Sequence, residues 1–258
     1  MNAPIKVEEP YLSVVVPAYN EEKTLATVVR KLVQLPELRE VVVVDDCSKD
    51  QTPEIARQLS EQYPQVKVVR HLVNSGKTEA LKTGFQHTTG EIVIVQDADL
   101  EYDPTEIPGL IQPIIEGHAD VVYGSRFLVR KTSRVLYFYH YLANRGLTFI
   151  SNLFTNINLT DVETGYKALR GEIIRNMVIT SEGFGFEIEV TAKVAKLKCS
   201  IYETPISYYG RTYEEGKKIG IWDGVAAFWY IIRYNVFTSL ESSFRKLPIL
   251  REQLAGEK

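Results

Sequence analysis

Short runs of branched apolar residues alternate with amphipathic stretches through the first half of the chain, and this alternation restricts the fold most. The apolar runs include EVVVVDD at 40–46 and EIVIVQD at 91–97. Between them, stretches such as EEKTLATVVRKLVQL place apolar residues at helical spacing. Unbroken Val and Ile runs indicate strands that are buried on both faces. We therefore predict an α/β fold with a doubly wound, mostly parallel sheet and helices on both faces.

The second half of the chain is less regular but contains further elements. GYKALRGEIIRNM predicts a strand that leads into a helix, and GFEIEVTAKVAKL predicts a helix. IYETPISYY predicts a strand, and IWDGVAAFWYIIRYNVF an amphipathic helix near the C-terminus. In the earlier helix DQTPEIARQLSEQY, we expect Thr52 as the N-cap and Pro53 at the first helical position.

Composition excludes several classes of protein. The formal charge of -3 and a pI of about 5.9 argue against a nucleic-acid-binding protein, which is usually basic. Cys47 and Cys199 have no zinc spacing and no disulfide framework, which favours a reducing compartment. The N-terminus, MNAPIKVEEP, lacks the apolar core of a signal peptide, and no stretch is long and apolar enough to predict a transmembrane helix. We expect a cytoplasmic protein.

Four carboxylates follow the apolar run at 91–95: Asp97, Asp99, Glu101 and Asp103. Ligands of parallel sheets bind at the carboxyl ends of the strands, where these residues are expected. Residues i and i+2 of an extended chain point the same way, so Asp97 and Asp99 can face one ion. Their hard oxygen donors suit Mg²⁺ or Mn²⁺. A solvated turn that caps the next helix is the alternative, and Asp103 before Pro104 fits it.

The segment NSGKT at 74–78 looks similar to a phosphate loop but does not match that motif, because His71 stands where the motif needs Gly.

Three motifs occur at the ends of the first, second and fourth predicted strands: VVPAYNEE, VVVVDDCSKD and IVIVQDADLE. In this combination the chain resembles the family-2 glycosyltransferases, which have a nucleotide-sugar-binding fold of the GT-A type with a D-x-D metal site. GSRF, DVETGYKALR and GRTYEEGKKIG narrow the resemblance to the polyprenyl-phosphate hexosyltransferase branch, typified by dolichyl-phosphate mannose synthase. The resemblance covers roughly residues 11 to 225.

The resemblance implies a role for each matching residue. Those implied for the nucleoside pocket are Pro17, Ala18, Tyr19 and Glu21, with Asp46 near the base. Those implied for the metal are Asp97, Asp99 and Glu101. Asp97 and Asp99 would hold the metal against the donor diphosphate. Glu101 stands where the synthases usually carry Gln. Those implied for phosphate oxygens are Arg126, Arg211 and Lys217 or Lys218. The catalytic residues are therefore expected to be Asp99, Arg126 and Arg211.

Three further carboxylates are candidates for the vicinity of the sugar or the acceptor: Asp161, Glu163 and Glu187. In the resembling family the DVETG segment lies beside the transferred sugar. An acceptor phosphate is already anionic near neutral pH and needs no strong base, whereas an alcohol acceptor needs one, for which these three residues are the candidates.

The resemblance implies one glycosyltransferase domain over residues 1–241, followed by a polar tail at 242–258. Residues 11–126 form its nucleotide-sugar-binding half, and residues 127–241 its acceptor-binding and membrane-facing half. The expected reaction is an inverting, metal-dependent transfer of a hexose from a GDP-mannose or UDP-glucose type of donor to a polyprenyl or dolichyl phosphate. A soluble saccharide or protein acceptor, and a non-catalytic nucleotide-sugar-binding module, stay open as alternatives.

A membrane surface follows from a lipid acceptor. The stretch RVLYFYHYLANRGLTFISNLF mixes aromatic residues with cations, as an interfacial helix does, and a dimer interface or plain core is the alternative. Cations that could meet anionic head groups come just before it or at its start: Arg126, Arg130, Lys131 and Arg134. We expect a peripheral protein at the cytoplasmic face of a membrane, and leave open a homo-oligomer or a membrane partner subunit.

Overall fold

The computed structural model describes residues 10–128, 134–135, 137–211 and 221–250, with the side chains of 221–223 left out. Lys217, Lys218, Arg130 and Lys131 therefore lie outside the described residues. The strands are β1 Leu12–Ala18, β2 Leu38–Asp45, β3 Val66–Arg70, β4 Ile92–Val95, β5 Val121–Ser125, β6 Lys167–Arg170 and β7 Ile201–Pro205. The helices are α1 Leu25–Leu32, α2 Thr52–Gln62, α3 Lys77–Gln86, α4 Ile107–Ile115, α5 Phe138–Thr155, α6 Gly171–Asn176, α7 Phe186–Leu197, α8 Ile221–Val236 and α9 Leu240–Ser243, with a 3-10 turn at Pro104–Glu106.

These strands form one sheet in the order β3-β2-β1-β4-β6-β5-β7. β6 runs antiparallel to both of its neighbours, and every other pairing is parallel. The predicted α/β class and the mostly parallel sheet are confirmed. Because the parallel strands end at one edge of the sheet, the residues that follow β1, β2 and β4 are brought together there.

Both faces of the sheet are covered, which explains the unbroken apolar runs. Val14 and Val16 of β1 face a core that includes Leu25 of α1, whereas Val15 faces a second core with Leu81 of α3. All five side chains are fully buried. Full burial of such a side chain contributes about 1.5–3 kcal/mol, so successive residues of β1 stabilise opposite faces of the sheet.

The start of α2 differs from the sequence prediction. Thr52 is the first helical residue and Gln51 is the N-cap, so the prediction of Thr52 as the N-cap is wrong. The Thr52 hydroxyl instead accepts a hydrogen bond from the Glu21 N–H at 2.8 Å. Asp50 accepts the Thr52 N–H at 2.9 Å and so satisfies an unpaired donor of the first turn. The Thr52 hydroxyl, which was expected to cap α2, therefore binds the loop that follows β1.

The described part of the predicted tail contacts the body of the protein. Phe244 forms an isolated antiparallel bridge with Met177, and the Arg245 N–H donates to the Asn176 carbonyl at 2.8 Å. No helix within the described residues combines the length and the apolar character needed to cross a membrane.

Candidate functional site

The carboxylates that follow β4 lie against two cations from distant parts of the chain. Lys77, the first residue of α3, places its Nζ 2.9 Å from Asp97 Oδ1. Arg211, which follows β7, places its Nη2 2.8 Å from Asp99 Oδ2. The structure therefore brings the predicted site residues Asp97, Asp99 and Arg211 together, and it adds Lys77, which the sequence analysis missed.

Arg211 sits among three carboxylates. Besides Asp99, its guanidinium lies 3.4 Å from Glu21 Oε1, and its Nε lies 3.7 Å from Glu101 Oε1. Burial opposes the charge on the guanidinium, but Asp99, Glu21 and Glu101 together raise the pKa of Arg211 above its ordinary value. The predicted nucleoside-pocket residue Glu21 and the predicted metal residue Glu101 thus contact the same cation.

Negative charge exceeds positive charge around Asp99. Burial, followed by the charges of Asp97 and Glu101, raises the pKa of Asp99 to about 7, although Arg211 opposes the shift. Two cations, Arg211 and Lys77, therefore face four carboxylates: Glu21, Asp97, Asp99 and Glu101. The arrangement favours a further cation at this edge of the sheet.

Two backbone features shape the carboxylate turn. Leu100 has a φ of 61°, in the left-handed region that residues other than Gly rarely adopt. In this turn the Glu101 N–H donates to Asp99 Oδ1 at 3.1 Å. Opposite it, a Cβ on Gly165 would lie 2.7 Å from Asp97 Oδ2, so a larger residue at this position would push the Asp97 carboxylate away. Gly165 was missed by the sequence analysis, and its place in the DVETG segment was the only available signal.

The donor chemistry of this cluster fits a divalent metal ion. Carboxylate oxygens are the ligands that Mg²⁺ and Mn²⁺ prefer. Burial first, and then the negative charges of Asp97 and Glu101, raise the pKa of Asp99. Within the described residues, no group of three His, Cys, Asp or Glu side chains converges in the geometry of a metal site. Lys77 and Arg211 are the cations that contact Asp97 and Asp99, the two residues that would hold an ion.

A second group of buried carboxylates lies behind Asp97. Lys77 Nζ reaches Glu187 Oε1 at 3.2 Å and so joins the two groups. Among the described residues, Glu163 Oε1 and Glu187 Oε2 are buried without a hydrogen-bond partner. Burial and the charge of Glu187 raise the pKa of Glu163 to about 7, against the opposing effect of Lys167. Each of these two predicted sugar-vicinity residues thus has one buried acceptor oxygen without a partner, and Glu187 is linked to Asp97 through Lys77.

Asp161, the third of them, is fully occupied by Arg126. The Arg126 Nε and Nη2 atoms lie 2.6 and 2.7 Å from the two Asp161 oxygens. Asp161 is completely buried, and 11% of the Arg126 side chain is exposed. The Arg126 guanidinium also lies over the Tyr208 ring, 5.2 Å from its centroid. Burial opposes the charge on the guanidinium, but Asp161 raises the pKa of Arg126 well above its ordinary value.

At the end of β2, Asp46 holds the loop that follows β3. Its oxygens accept hydrogen bonds from the Ser75 N–H at 2.9 Å and the Gly76 N–H at 2.7 Å. His71 Nδ1 lies 2.7 Å from Asp46 Oδ1. Gly76 has a φ of 90°, which lets the loop turn directly into α3 and Lys77. NSGKT is thus the segment that places Lys77 at the carboxylates after β4.

The other predicted nucleoside-pocket residues end β1. Pro17 and Tyr19 are partly exposed, whereas the Ala18 side chain is buried, so Ala18 offers a ligand only its backbone. Asp46 lies beside this strand, since its N–H donates to the Ala18 carbonyl at 2.9 Å. The predicted pocket residues of β1 and β2 are thus adjacent in the structure.

Glu163 predicts a pH dependence of stability. Its pKa is raised to about 7, from an ordinary 4.5, so the folded state binds this proton more tightly than the unfolded state. The contribution of Glu163 to stability is therefore complete below a pH of about 4.5 and is lost as the pH rises through about 7. We expect the thermal midpoint of the wild type to fall more steeply between about pH 5 and pH 8 than that of Glu163→Gln, measured by calorimetry.

The exposed Glu61→Gln variant serves as the matched control, because Glu61 lies on the solvent face of α2. Its pH profile should parallel that of the wild type. Parallel profiles for wild type and Glu163→Gln would contradict the raised pKa of Glu163.

Comparison with known proteins identifies related sequences. The profile of glycosyl transferase family 2 matches residues 13–178. A dolichol-phosphate mannosyltransferase from Pyrococcus furiosus is 33% identical over 213 residues, which are 81% of this chain and 59% of that protein. An undecaprenyl-phosphate mannosyltransferase from Micrococcus luteus is 29% identical over 218 residues, which are 80% of this chain and 86% of that protein. The chain thus spans less than two thirds of the Pyrococcus furiosus relative.

Solved structures share the fold. Glucosyl-3-phosphoglycerate synthase from Mycobacterium tuberculosis, crystallised with Mn²⁺, uridine diphosphate and glucosyl-3-phosphoglycerate, matches with a TM-score of 0.65 and 20% sequence identity. The match covers 87% of this chain and 80% of the synthase. At this identity the similarity shows the fold alone, and it confirms the predicted GT-A type.

Proposed function

The chain belongs to glycosyl transferase family 2, and from this membership we propose that it transfers a hexose from a nucleoside diphosphate sugar to a polyprenyl phosphate, with inversion at the anomeric carbon. The two mannosyltransferase relatives, both named for a polyprenyl-phosphate substrate, support this acceptor class. The observation that carries the proposal is the pairing of Asp97 and Asp99 with Lys77 and Arg211 at the carboxyl end of β4.

That pairing suits a leaving diphosphate. Asp97 and Asp99 would hold Mg²⁺ or Mn²⁺, which when bound supplies positive charge to the diphosphate as the glycosidic bond breaks. Arg211 lies on Asp99 and can turn its guanidinium N–H groups toward phosphate oxygens. Lys217 and Lys218 follow Arg211 in the chain and are proposed to add further positive charge, although they lie outside the described residues.

The buried carboxylates suit the sugar. Glu163 Oε1 and Glu187 Oε2 have no hydrogen-bond partner among the described residues, and hydroxyl groups of a hexose are donors that could satisfy them. Lys77 links Glu187 to Asp97, so the sugar would lie directly beside the diphosphate. We propose that the nucleoside contacts Pro17, Tyr19 and the backbone of Ala18, with Asp46 ordering the adjacent loop.

Arg126 is proposed to contact the acceptor phosphate. Asp161 accepts from two of its N–H groups, and a guanidinium has five, so donors are left for a second anion. Asp161 holds the Arg126 guanidinium in place, so this donor is preorganised before the acceptor phosphate binds. Because the acceptor phosphate is anionic, its oxygen can attack without a strong base, and no step requires Glu163 or Glu187 to take a proton.

An exposed apolar face suits a membrane surface. α5 and α8 pack against each other and expose large apolar side chains, among them Phe138, Tyr139, Leu142, Phe149, Leu153, Phe228 and Trp229. Arg134 and Arg145 are exposed beside them. Aromatic residues with neighbouring cations are typical of helices that lie at an anionic membrane surface. We propose peripheral contact at the cytoplasmic face, where a nucleotide sugar and a lipid acceptor can meet.

The test combines the protein, Mn²⁺ and a panel of UDP- and GDP-sugars with a polyprenyl phosphate in anionic vesicles. We expect one donor to give a hexosyl-phosphoryl-polyprenol, detected by mass spectrometry, together with released nucleoside diphosphate and flotation of the protein with the vesicles. Vesicles that carry the matching polyprenol without its phosphate are the control and should give no product. Transfer to a soluble saccharide or protein, with no lipid product from any donor, would contradict the proposal.

A further inference from the structure

One face of α5 holds the chain segment that follows this helix. The Asn152 Nδ2 donates to the Leu159 carbonyl at 2.7 Å, and the Leu159 N–H donates to Asn152 Oδ1 at 3.2 Å. The Val162 N–H donates to the Thr148 hydroxyl oxygen at 3.2 Å. The Asn152 amide thus pairs with both backbone groups of one residue, which requires a side chain that has a donor as well as an acceptor.

Asp161 lies within this segment, directly after a residue that is held from two sides. Arg145 of α5 donates from Nη1 to the Thr160 carbonyl at 3.1 Å. Glu203 of β7 accepts the Thr160 N–H at 2.8 Å. The backbone that carries Asp161 is therefore fixed between α5 and the sheet. Because the Asp161 carboxylate holds the Arg126 guanidinium, the position of this guanidinium depends on the same contacts.

An adjacent face of α5 is apolar and exposed. Phe149 and Leu153 are 63% and 67% exposed, and each follows one of the anchoring residues Thr148 and Asn152 by one position, about 100° around the helix. The helix that we propose to lie at the membrane is therefore also the helix that fixes Asp161. A polyprenyl phosphate carries its phosphate at the membrane surface, so a guanidinium positioned from this helix would be held at a constant height relative to that phosphate.

We propose that Asn152 and Thr148 are positioning residues that fasten the segment at 159–162 to α5. Through this segment, Asp161 and the Arg126 guanidinium keep a fixed position relative to the helix that faces the membrane. The catalytic consequence rests on the proposed transfer to a polyprenyl phosphate, whereas the fastening does not.

The carboxylate proposed for the donor sugar has a separate support. Lys167, the first residue of β6, is fully buried and donates from Nζ to the carbonyls of Val162 and Thr164, on either side of Glu163. Glu163 is therefore held from the sheet rather than from α5. Loss of the α5 contacts should thus affect the acceptor more than the donor.

The test compares wild type, Asn152→Ala and Thr148→Val by hydrogen exchange and by transfer kinetics, with polyprenyl phosphate in anionic vesicles and the UDP- or GDP-sugar that gives product. In Asn152→Ala, the Leu159 amide should exchange roughly 10- to 100-fold faster, because it loses its side-chain acceptor. Thr148→Val keeps the shape of the side chain and should have the same effect at the Val162 amide. The KM for polyprenyl phosphate should rise roughly tenfold in both variants, whereas the KM for the donor should stay within about twofold of the wild type.

Asn144→Ala is the matched control, because the Asn144 amide lies on the same helix and donates to the His140 carbonyl within it at 3.0 Å. It should leave exchange over 159–162 and both KM values unchanged. Unchanged exchange at Leu159 and Val162, or an equal rise of both KM values, overturns the proposal. A wild type that transfers to no polyprenyl phosphate contradicts the proposed function instead, and the exchange rates then decide whether the segment is fastened to α5.

Discussion

Replacing Asp99 with asparagine is expected to lower kcat/KM for sugar transfer by about 10²- to 10³-fold, a loss typical of removing one electrostatic stabiliser from an active site. Asp99 makes the shortest ion pair with Arg211, and its pKa is raised to about 7. Asparagine keeps the shape and one oxygen but removes the charge that would hold a divalent ion. The measurement is donor turnover with Mn²⁺, alongside calorimetric titration of Mn²⁺.

Asp103→Asn is the matched control within the same run of carboxylates. Asp103 accepts the Thr105 N–H at 3.1 Å and pairs with Lys31 at 3.1 Å, and neither contact involves the site. Asparagine is as good a cap as aspartate, so turnover and stability should stay close to those of the wild type. Equal losses in both variants would contradict the assignment, because a general effect of acidic charge would then explain them.

Asp99 and Asp103 also separate the two interpretations that the sequence left open. Asp103 satisfies the helix-capping alternative, since it is the N-cap of the 3-10 turn. Asp97 and Asp99 instead contact cations delivered by α3 and by the segment after β7. The capping interpretation therefore holds for Asp103, whereas the metal interpretation stays a prediction for Asp97 and Asp99. Spacing alone does not assign them, because the deciding cations lie 20 and 112 residues away in the chain.

The sheet was predictable because its signals are local. A run such as VVVV is buried on both faces wherever it occurs in a parallel sheet, and strand ends follow from the chain direction. The antiparallel direction of β6 was not predictable, since a short KALR strand has the same pattern in either direction. The N-cap prediction for α2 failed for a different reason, because the Thr52 hydroxyl accepts the N–H of Glu21 from the loop after β1.

Site residues were predictable where a motif carried them and were missed where packing selected them. Asp97, Asp99 and Arg211 lie in quoted motifs and meet in the structure. Lys77 and Gly165 were missed, because their importance appears only when α3 and the DVETG segment approach Asp97. The pairing of Arg126 with Asp161 was equally hidden, although both residues had been singled out separately.

That pairing carries the largest expected effect on stability. Arg126→Ala leaves the fully buried Asp161 with neither of its two guanidinium hydrogen bonds. Removing one partner of a buried ion pair typically costs about 3–5 kcal/mol, because the remaining charge is left uncompensated. We expect a loss of this size in the free energy of unfolding, measured by denaturant titration at neutral pH. Arg57→Ala, which removes an arginine from the solvent face of α2, should leave the unfolding midpoint unchanged.

Stability and acceptor binding are separable in a second variant. Arg126→Ala combined with Asp161→Asn removes both charges, so most of the lost stability should return, because no unpaired carboxylate is left buried. Transfer to a polyprenyl phosphate should remain impaired in this double variant if Arg126 binds the acceptor phosphate. Recovery of both stability and transfer would contradict that role and would leave Arg126 as the partner of Asp161 alone. Recovery of stability without recovery of transfer would instead support the proposal that Asp161 holds the Arg126 guanidinium in position for the acceptor phosphate.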